Sequence, residues 1–247
     1  MTTTTQTITN NLVDIHSHII YDVDDGSKSI EESINELKEL KKIGVKKIIC
    51  TPHICGARIE RIKKIKENFL NLKKQADEIG IELYIGNEIL ISHNTVSLLE
   101  QKRLCPLNRT KYLLVEFKRN EDRDFEEIIS SIESIMDLGY RVVLAHPEFY
   151  INYRKLDYIK RLKELGVILQ LDAISVLKGK VSRKIYNFSK KLLKGNYIDV
   201  IASDNHCDSK RNYKIFYKSY KVIYKKYGCE YANDLFINNP NNILEDK

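Results

Sequence analysis

Short apolar runs alternate with amphipathic segments along this 247-residue chain, and this alternation strongly limits the folds open to it. Four amphipathic segments carry apolar residues at three- and four-residue steps, and each ends before a glycine: 29–43, 59–79, 125–138 and 156–165. Such segments predict helices with glycine at their carboxyl ends. The apolar runs predict seven strands, near 12–16, 46–51, 82–88, 112–117, 141–146, 167–172 and 198–204. Strands that alternate with helices indicate parallel pairing with right-handed crossovers, so we predict a distorted seven-stranded (β/α) barrel.

The composition is that of one globular domain. With 43% hydrophobic and 30% charged residues, the chain can bury one large core, which we place at residues 12–247. Residues 1–11 contain no basic or apolar stretch, so they do not resemble a signal peptide, and we predict a disordered leader. No apolar run approaches the roughly 18 residues of a membrane span. The five cysteines form no CxxC pair, which favours reduced thiols and a cytoplasmic location.

The net charge of +7 arises mostly after residue 150, where lysines accumulate. A basic surface attracts anions, so nucleic acid, anionic lipid and an acidic protein are candidate partners. Basic runs without a recognised nucleic-acid motif are weak evidence for such binding. We therefore interpret the lysines as a solvated face and do not expect nucleic acid as a partner.

Histidine or acidic residues stand at or just past the ends of six predicted strands: His16, His18, His53, Glu88, Glu116, His146, Asp204 and His206. The carboxyl ends of parallel strands meet at one rim of a barrel, so these side chains should converge there. A carboxylate that ends a buried strand needs a partner, because an unpaired buried charge costs several kcal/mol. Divalent cations would supply this partner. The sequence thus predicts a metal centre rather than scattered core histidines.

Two further motifs have alternative interpretations. Asp22, Asp24 and Asp25 precede the first helix, where Asp25 could bind metal or Asp24 or Asp25 could cap the helix. Spacing alone leaves both interpretations open. Cys55 and Arg61 have the Cys-x5-Arg spacing of thiol-dependent phosphatases. We regard this match as a weak motif, since no glycine-rich phosphate cradle opens into a helix here.

Taken together, the motifs resemble the PHP (polymerase and histidinol phosphatase) superfamily, and more closely the CpsB/CapC/YwqE family of bacterial protein-tyrosine phosphatases. The matching segments span the chain in family order: Asp14-Ile-His-Ser-His18, Asp22-Val-Asp-Asp-Gly26, Thr51-Pro-His53, Gly86-Asn-Glu88, Glu116-Phe117, Ala145-His-Pro-Glu148, Ile201-Ala-Ser-Asp-Asn-His206 and Asn239-Pro-Asn-Asn-Ile-Leu244. The Asp-Asp-Gly loop and the Asn-Pro tail narrow the resemblance to this family.

The resemblance implies three divalent metal ions, with Mn²⁺ favoured and Zn²⁺ or Fe as alternatives. One ion would take His16, His18, Glu88 and Asp204. Glu88 would bridge to a second ion held by Glu116 and His146, and the third would take Asp25, His53 and His206. His146, Asp204 and Arg211 would be the catalytic residues, with Arg211 binding phosphate.

Four positions concern the binding of a phosphate group by this family. Family members usually continue His-Pro-Glu with Arg, but this chain has Phe149, and Arg154 is a candidate replacement. By this resemblance, Arg211 corresponds to the second family arginine. Asp172 stands where Asn is typical, so it would add negative charge near an anionic substrate.

The resemblance predicts hydrolysis of phosphotyrosine on a bacterial tyrosine kinase, or on its C-terminal tail, that controls capsule or exopolysaccharide synthesis. Divalent cations would activate water and bind the phosphoryl oxygens. A PHP phosphoesterase acting on a small molecule such as histidinol phosphate, or on a nucleic-acid end, is an alternative. A metal-containing, non-catalytic phosphoprotein-binding module is another. The sequence leaves the oligomeric state open, a homo-oligomer included.

Overall fold

The computed structural model describes residues 11–54, 61–119, 124–150, 152, 154–208 and 210–247. All of the predicted leader except Asn11 lies outside these residues. Cys55 also lies outside them. The guanidinium of Arg61, the other half of the Cys-x5-Arg motif, donates to the carbonyl oxygen of Val23 at 3.2 Å.

Within the described residues, nine parallel strand segments lie at or just beyond the seven predicted strand positions. Their bounds are Leu12–Ser17 (β1), Val45–Cys50 (β2), His53–Ile54 (β3), Glu82–Ile85 (β4), Glu88–Leu90 (β5), Tyr112–Glu116 (β6), Arg141–Ala145 (β7), Ile168–Asp172 (β8) and Val200–Ala202 (β9). The segments pair in the orders β1-β2-β4 and β3-β5-β6-β7-β8-β9. A parallel bridge between Ser17 and Asn205 links the first strand to the end of the last. The predicted α/β barrel of parallel strands is confirmed.

At two of the predicted strand positions, 46–51 and 82–88, the strand breaks and a second short segment follows it. The breaks fall at Thr51-Pro52, between β2 and β3, and at Gly86-Asn87, between β4 and β5. Proline has no amide proton to donate to a neighbouring strand. A Cβ on Gly86 would lie 2.8 Å from a methyl carbon of Leu107, so this close approach requires glycine. The breaks divide the barrel wall into two sheets, which explains its distortion.

Helices follow the strands and cover the barrel. They are Ile30–Lys42 (α1), Ile62–Ile79 (α2), Thr95–Glu100 (α3), Phe125–Asp137 (α4), Leu156–Glu164 (α5), Arg183–Lys194 (α6), Tyr213–Tyr227 (α7), Cys229–Asn233 (α8) and Asn239–Leu244 (α9). The four predicted helices correspond to α1, α2, α4 and α5. Each precedes a glycine with positive φ, as at Gly80 (φ 84°), where a side chain would be strained. None of the described helices has the length and apolar character needed to cross a membrane.

The buried residues form two clusters on opposite faces of the strands. The larger cluster lies between strands and helices. The smaller one lines the inner face of the strands, with members such as Val13, Leu114 and Val143, and it includes Ile243 and Leu244 of α9. Alternate residues of a strand share a face. The inner face therefore continues from these apolar residues to polar side chains near the carboxyl ends of the strands.

The C-terminal Asn-Pro segment closes the apolar end of the barrel. Within it, the Asn239 amide donates to the carbonyl oxygen of Asp199 at 2.8 Å, and Asn241 accepts from Lys47 at 2.8 Å. The Asn108 amide donates to the carbonyl oxygen of Leu244 at 3.1 Å. These contacts give the tail a structural role at the end of the barrel opposite the predicted metal centre.

Candidate metal centre

His16 and His18 form the middle of the candidate site. Both imidazoles are buried, and their Nε2 atoms lie 3.2 Å apart. A register irregularity in β1 between Asp14 and Ser17 lies beside the pair, and bulges of this kind redirect side chains at strand ends. The two rings of the His-x-His motif therefore point at one location, as its spacing predicts.

The hydrogen bonds of the two Nδ1 atoms show that the Nε2 atoms of His16 and His18 face the site. Nδ1 of His16 lies 2.8 Å from Oε1 of Gln170, and Nδ1 of His18 lies 2.8 Å from Oδ2 of Asp24. Each oxygen accepts a hydrogen bond, so each Nδ1 carries the proton and each Nε2 presents a lone pair. Two lone pairs 3.2 Å apart repel each other unless a cation lies between them. This arrangement fits two ligands of one metal ion.

Two buried carboxylates complete this group. Oε2 of Glu88 lies 3.2 Å from Nε2 of His16 and of His18, and Oδ1 of Asp204 lies 3.3 Å from the same atoms. Within the described residues, Oε2 of Glu88 has no hydrogen-bond partner of standard geometry. Burial acts to raise the pKa of both carboxyl groups, but His16 and its neighbours hold each pKa well below its ordinary value. Two ionised carboxylates in a buried site require cations.

A second group surrounds the other side of Glu88. Nδ1 of His53 lies 2.9 Å from Oε2 of Glu88 and 3.3 Å from Oε1 of Glu116. Nε2 of His146 lies 3.0 Å from Oε1 of Glu88 and 3.8 Å from Oε2 of Glu116. The two oxygens of Glu88 thus face different imidazoles, which is the geometry that a bridging carboxylate needs.

A third group opens to solvent. Oδ1 of Asp25 lies 3.5 Å from Nε2 of His53 and 3.6 Å from Nε2 of His206. Nδ1 of His206 donates to the carbonyl oxygen of Asp204 at 2.7 Å, so its Nε2 is left as the ligand atom. The side chain of Asp25 is 68% exposed, whereas that of His206 is 11% exposed.

The helix-capping interpretation of Asp24 and Asp25 is wrong. Ser29 caps α1, since its side chain accepts from the amide of Glu32. Asp24 instead accepts from Nδ1 of His18 and from the amides of Gly26 and His53, at 2.8, 3.0 and 3.1 Å respectively. The turn before the helix therefore contributes Asp24 to orient His18.

These contacts define groups of side chains able to hold metal ions. The groups are His18, Asp25, His53 and His206; His16, His18, Glu88 and Asp204; and His53, Glu88 and Glu116. His146 adjoins the last group through Glu88. The predicted assignment gave His18 and His53 to one ion each, whereas the structure places each beside two groups. Mixed imidazole and carboxylate donors suit divalent first-row transition metals.

The pKa values of His16 and His53 reflect the same excess of negative charge. Burial acts to lower the pKa of His16, but the carboxylates of Glu88 and Asp204 outweigh burial and raise this pKa to about 9. For His53, burial again lowers the pKa, and Glu88 is the main group that raises it to about 10. The carboxylates therefore draw positive charge into the site, whether as protons or as metal ions.

Two of the candidate ligands have strained backbones. His146 directly follows the end of β7 and has a φ of 36°, and Asp204 lies two residues past the end of β9 and has a φ of 47°. A residue other than glycine in this left-handed region costs about 1–3 kcal/mol, and such strain is concentrated at functional sites. The amide of His146 donates to the carbonyl oxygen of Gln170 at 2.8 Å, which holds the turn in place.

Arg211 lies at the edge of the site. Its Nε is 3.0 Å from Oδ2 of both Asp172 and Asp204. Burial raises the pKa of Asp172, and Arg211 opposes this rise. The extra negative charge predicted for Asp172 is therefore paired with a guanidinium and fixes Arg211 beside the ligands.

The sequence reasoning missed two residues that orient ligands. Gln170 is a fully buried polar residue in the apolar strand β8, and a buried amide needs a partner. That rule could have identified it, although not His16 as its partner. Asp24 was considered only as a helix cap, because sequence distance gives no sign that its loop folds back onto His18 and His53.

A family model described as "Capsular polysaccharide synthesis, CpsB/CapC" matches residues 12–245. The chain belongs to the CpsB/CapC family. Among its relatives is the tyrosine-protein phosphatase CpsB of Streptococcus pneumoniae, 36% identical over 245 residues, which are 96% of this chain and 99% of that protein. Another is the tyrosine-protein phosphatase YwqE of Bacillus subtilis, 31% identical over 210 residues, which are 82% and 80% of the two chains.

Solved structures agree with this membership in the CpsB/CapC family. One match is a chain from the crystal structures of B. subtilis YwqE and S. pneumoniae CpsB, described as unique metal-dependent tyrosine phosphatases. Its TM-score is 0.80 at 27% identity, over 96% of this chain and 95% of that one. The phosphotriesterase of Mycobacterium tuberculosis matches with a TM-score of 0.58 at 14% identity, covering 95% and 94%. This second likeness shows the fold alone.

Proposed function

We propose that this member of the CpsB/CapC family is a metal-dependent protein-tyrosine phosphatase. Its substrate would be a bacterial tyrosine kinase that controls capsule synthesis, or the C-terminal tail of that kinase. The observation that carries the proposal is the convergence of imidazole lone pairs and buried carboxylates around Glu88. The metal-dependent tyrosine phosphatases among its structural matches support the reaction.

The family resemblance favours three Mn²⁺ ions, and Zn²⁺ or Fe are alternatives because mixed imidazole and carboxylate donors suit all three metals. His16, His18, Glu88 and Asp204 would hold the first, and Glu88, Glu116 and His146 the second. The third would be held by Asp25, His53 and His206. When bound, such ions acidify water and neutralise phosphoryl oxygens as charge develops.

The residues of the chain then position the substrate and the ligands. Asp172 and Asp204 hold Nε of Arg211, so the remaining guanidinium donors are available to phosphoryl oxygens in a fork geometry. Together with Arg211, His146 and Asp204 are the proposed catalytic residues. A tyrosine phenolate has a pKa near 10, so it leaves without a strong general acid.

Exposure at the rim supports a protein substrate. Asp25 is 68% exposed and His53 is 23% exposed, whereas His16 and Glu88 are fully buried. One side of the site is therefore accessible to a side chain carried on another protein. The described cysteines, Cys50, Cys105, Cys207 and Cys229, are all unpaired, which supports the proposed cytoplasmic location.

The test compares variants of two proposed ligands with a control variant in a phosphate-release assay on a phosphotyrosine peptide. His146→Ala and Asp204→Ala should abolish release, because each removes a ligand at a strained strand end. His93→Ala is the matched control, since His93 is exposed and lies in the turn before α3. Full activity in either site variant, at wild-type metal content, would refute the proposal.

Substrate competition separates this activity from its alternatives. A peptide with clustered phosphotyrosines should outcompete histidinol phosphate and nucleotides. Faster turnover of histidinol phosphate or of a nucleic-acid end would instead indicate another PHP phosphoesterase. Tight phosphopeptide binding without phosphate release under any metal would indicate a binding module.

A further inference from the structure

The ring of Phe149 forms part of the rim beside the candidate ligands. It lies edge-on to the ring of His146, with the two centroids 5.9 Å apart. The amide of Phe149 donates to the carbonyl oxygen of His146 at 3.0 Å within a short turn that begins at Pro147. The position of Phe149 is therefore tied directly to that of a proposed ligand.

Two guanidinium groups lie over this ring. Cζ of Arg119 is 4.7 Å from the ring centroid, and Cζ of Arg211 is 5.7 Å from it. A cation over an aromatic face is attracted by the negative face of the ring. Phe149 thus contacts two cations and the proposed ligand His146 at one side of the candidate metal centre.

The two arginines differ in what balances their charge. Arg211 contacts the carboxylates of Asp172 and Asp204 at 3.0 Å. Arg119 is exposed and its guanidinium lies over the Phe149 ring, and among the described residues no carboxylate forms an ion pair with it. Two guanidinium groups over one ring make this part of the rim positive, which favours an incoming anion.

We propose that Arg119 is a phosphate-binding residue that acts with Arg211, and that Phe149 holds it at the rim for this purpose. The proposal rests on the proposed phosphatase function. A phosphotyrosine carries a charge of about −1.5 to −2 near pH 7 and three acceptor oxygens, which match the parallel N–H groups of a guanidinium. Of the arginines that the structure describes, Arg119 and Arg211 lie over Phe149, so Arg119 rather than Arg154 takes the place beside this ring.

The exposed side chain of Arg119 explains how it reaches the substrate. It extends from the loop that follows β6, the strand that ends at Glu116. Because this side chain is exposed, the free edge of its guanidinium is accessible to a phosphoryl group that binds at the rim. Arg119 would thus touch the phosphate in both the bound substrate and the transition state, so its loss should act mainly on KM.

The experiment compares Arg119→Ala with Lys118→Ala. Lys118 is an exposed cation one position earlier, so its variant removes the same charge from the same loop. Two quantities are measured for each variant. They are kcat/KM on a phosphotyrosine peptide and the Kd for a non-hydrolysable difluoromethylphosphonate peptide.

Arg119→Ala should lower kcat/KM and raise the phosphonate Kd, each roughly 10- to 100-fold, as expected for the loss of one charge-assisted contact. Its metal content and kcat should stay close to those of the wild type. Lys118→Ala should change neither kcat/KM nor the phosphonate Kd more than about 2-fold, which is ordinary for screened surface charge.

Phe149 variants test the holding role. Phe149→Leu keeps an apolar side chain but removes the aromatic face, so it should raise KM less than Arg119→Ala does. Adding Phe149→Leu to Arg119→Ala should lower phosphonate affinity little further, because both substitutions remove the same interaction between Arg119 and Phe149. Phe149→Arg in the Arg119→Ala background should restore much of the lost phosphonate affinity, which a purely structural defect would not allow.

Equal phosphonate Kd values for Arg119→Ala and Lys118→Ala, in a protein whose wild type hydrolyses the peptide, would overturn this proposal and leave the phosphatase function standing. Failure of the metal-loaded wild type both to hydrolyse the phosphopeptide and to bind the phosphonate would instead overturn the phosphatase function, and this proposal with it.

Discussion

Asp24 should control metal affinity although it belongs to none of the ligand groups. Its side chain is 1% exposed, and its Oδ2 accepts the Nδ1 proton of His18 at 2.8 Å. The same oxygen accepts the amide of His53 at 3.1 Å, and Oδ1 accepts the amide of Gly26 at 3.0 Å. One carboxylate thus fixes the tautomer of one candidate ligand and the backbone of another.

Asp24→Asn keeps the shape of this side chain but replaces one acceptor oxygen with an NH₂ group. Either orientation of the amide then faces a donor with a donor and removes the negative charge beside His18. Loss of such an orienting partner lowers metal affinity about 10- to 100-fold. One buried donor left without an acceptor costs about 1–3 kcal/mol, which for a chain of this size lowers Tm by roughly 2–12 °C.

The assay is a Mn²⁺ titration against a competing chelator dye, with Tm measured on the same samples. Asp22→Asn is the matched control. Asp22 lies in the same loop, is 65% exposed and contacts only the exposed Lys64 among described charges, at 2.8 Å. The Asp22→Asn variant should bind Mn²⁺ with the same affinity as the wild type. Equal Mn²⁺ affinity in the Asp24 and Asp22 variants would refute the reasoning that Asp24 orients His18.

Four further predictions follow from packing and burial. Gly26→Ala should lower metal occupancy in elemental analysis, because an added Cβ would lie 2.0 Å from the carbonyl oxygen of His18. Phe236→Ala should lower the free energy of unfolding in urea by about 3–5 kcal/mol, since Phe236 is fully buried. Iodoacetamide should label the exposed Cys229 long before Cys50, which is buried and whose thiol pKa burial raises; peptide mass spectrometry measures both. Chelation of metal should lower Tm in a thermal scan, because buried carboxylates then lose their cations.

Each of these predictions has a contrary result. Normal metal content in the Gly26 variant would show that the loop can move away from His18. Wild-type stability of the Phe236 variant would contradict its placement in the core, and rapid labelling of Cys50 would contradict the burial of β2. A Tm that is unaffected by chelation would argue against metal ions as partners of Glu88 and Asp204.

The barrel could be predicted because local patterns repeat. Each predicted helix shows a three- and four-residue apolar period that ends at a glycine, and Gly80 and its counterparts adopt the positive φ that this position requires. The break at Gly86 could not be predicted in the same way. It depends on the close approach of Gly86 to Leu107, which lies 21 positions away in the sequence.

The candidate ligands could be predicted for a related reason. Parallel strands bring their carboxyl ends together, so His146 and Asp204 had to lie near His16 once the barrel was assumed. The side chains that orient the ligands follow no such rule. Gln170 meets His16 across 154 positions, and Arg119 meets Phe149 only because two separate loops fold over the same rim.

The most direct test of the central claim is phosphate release from a phosphotyrosine peptide by metal-stripped protein, before and after Mn²⁺ is restored, with an iodoacetamide-treated sample alongside. We predict no release without metal, recovery when Mn²⁺ is added, and the same recovery after alkylation. Release that persists without metal, or that alkylation abolishes while metal content is unchanged, would contradict a metal-dependent phosphatase and favour a thiol mechanism.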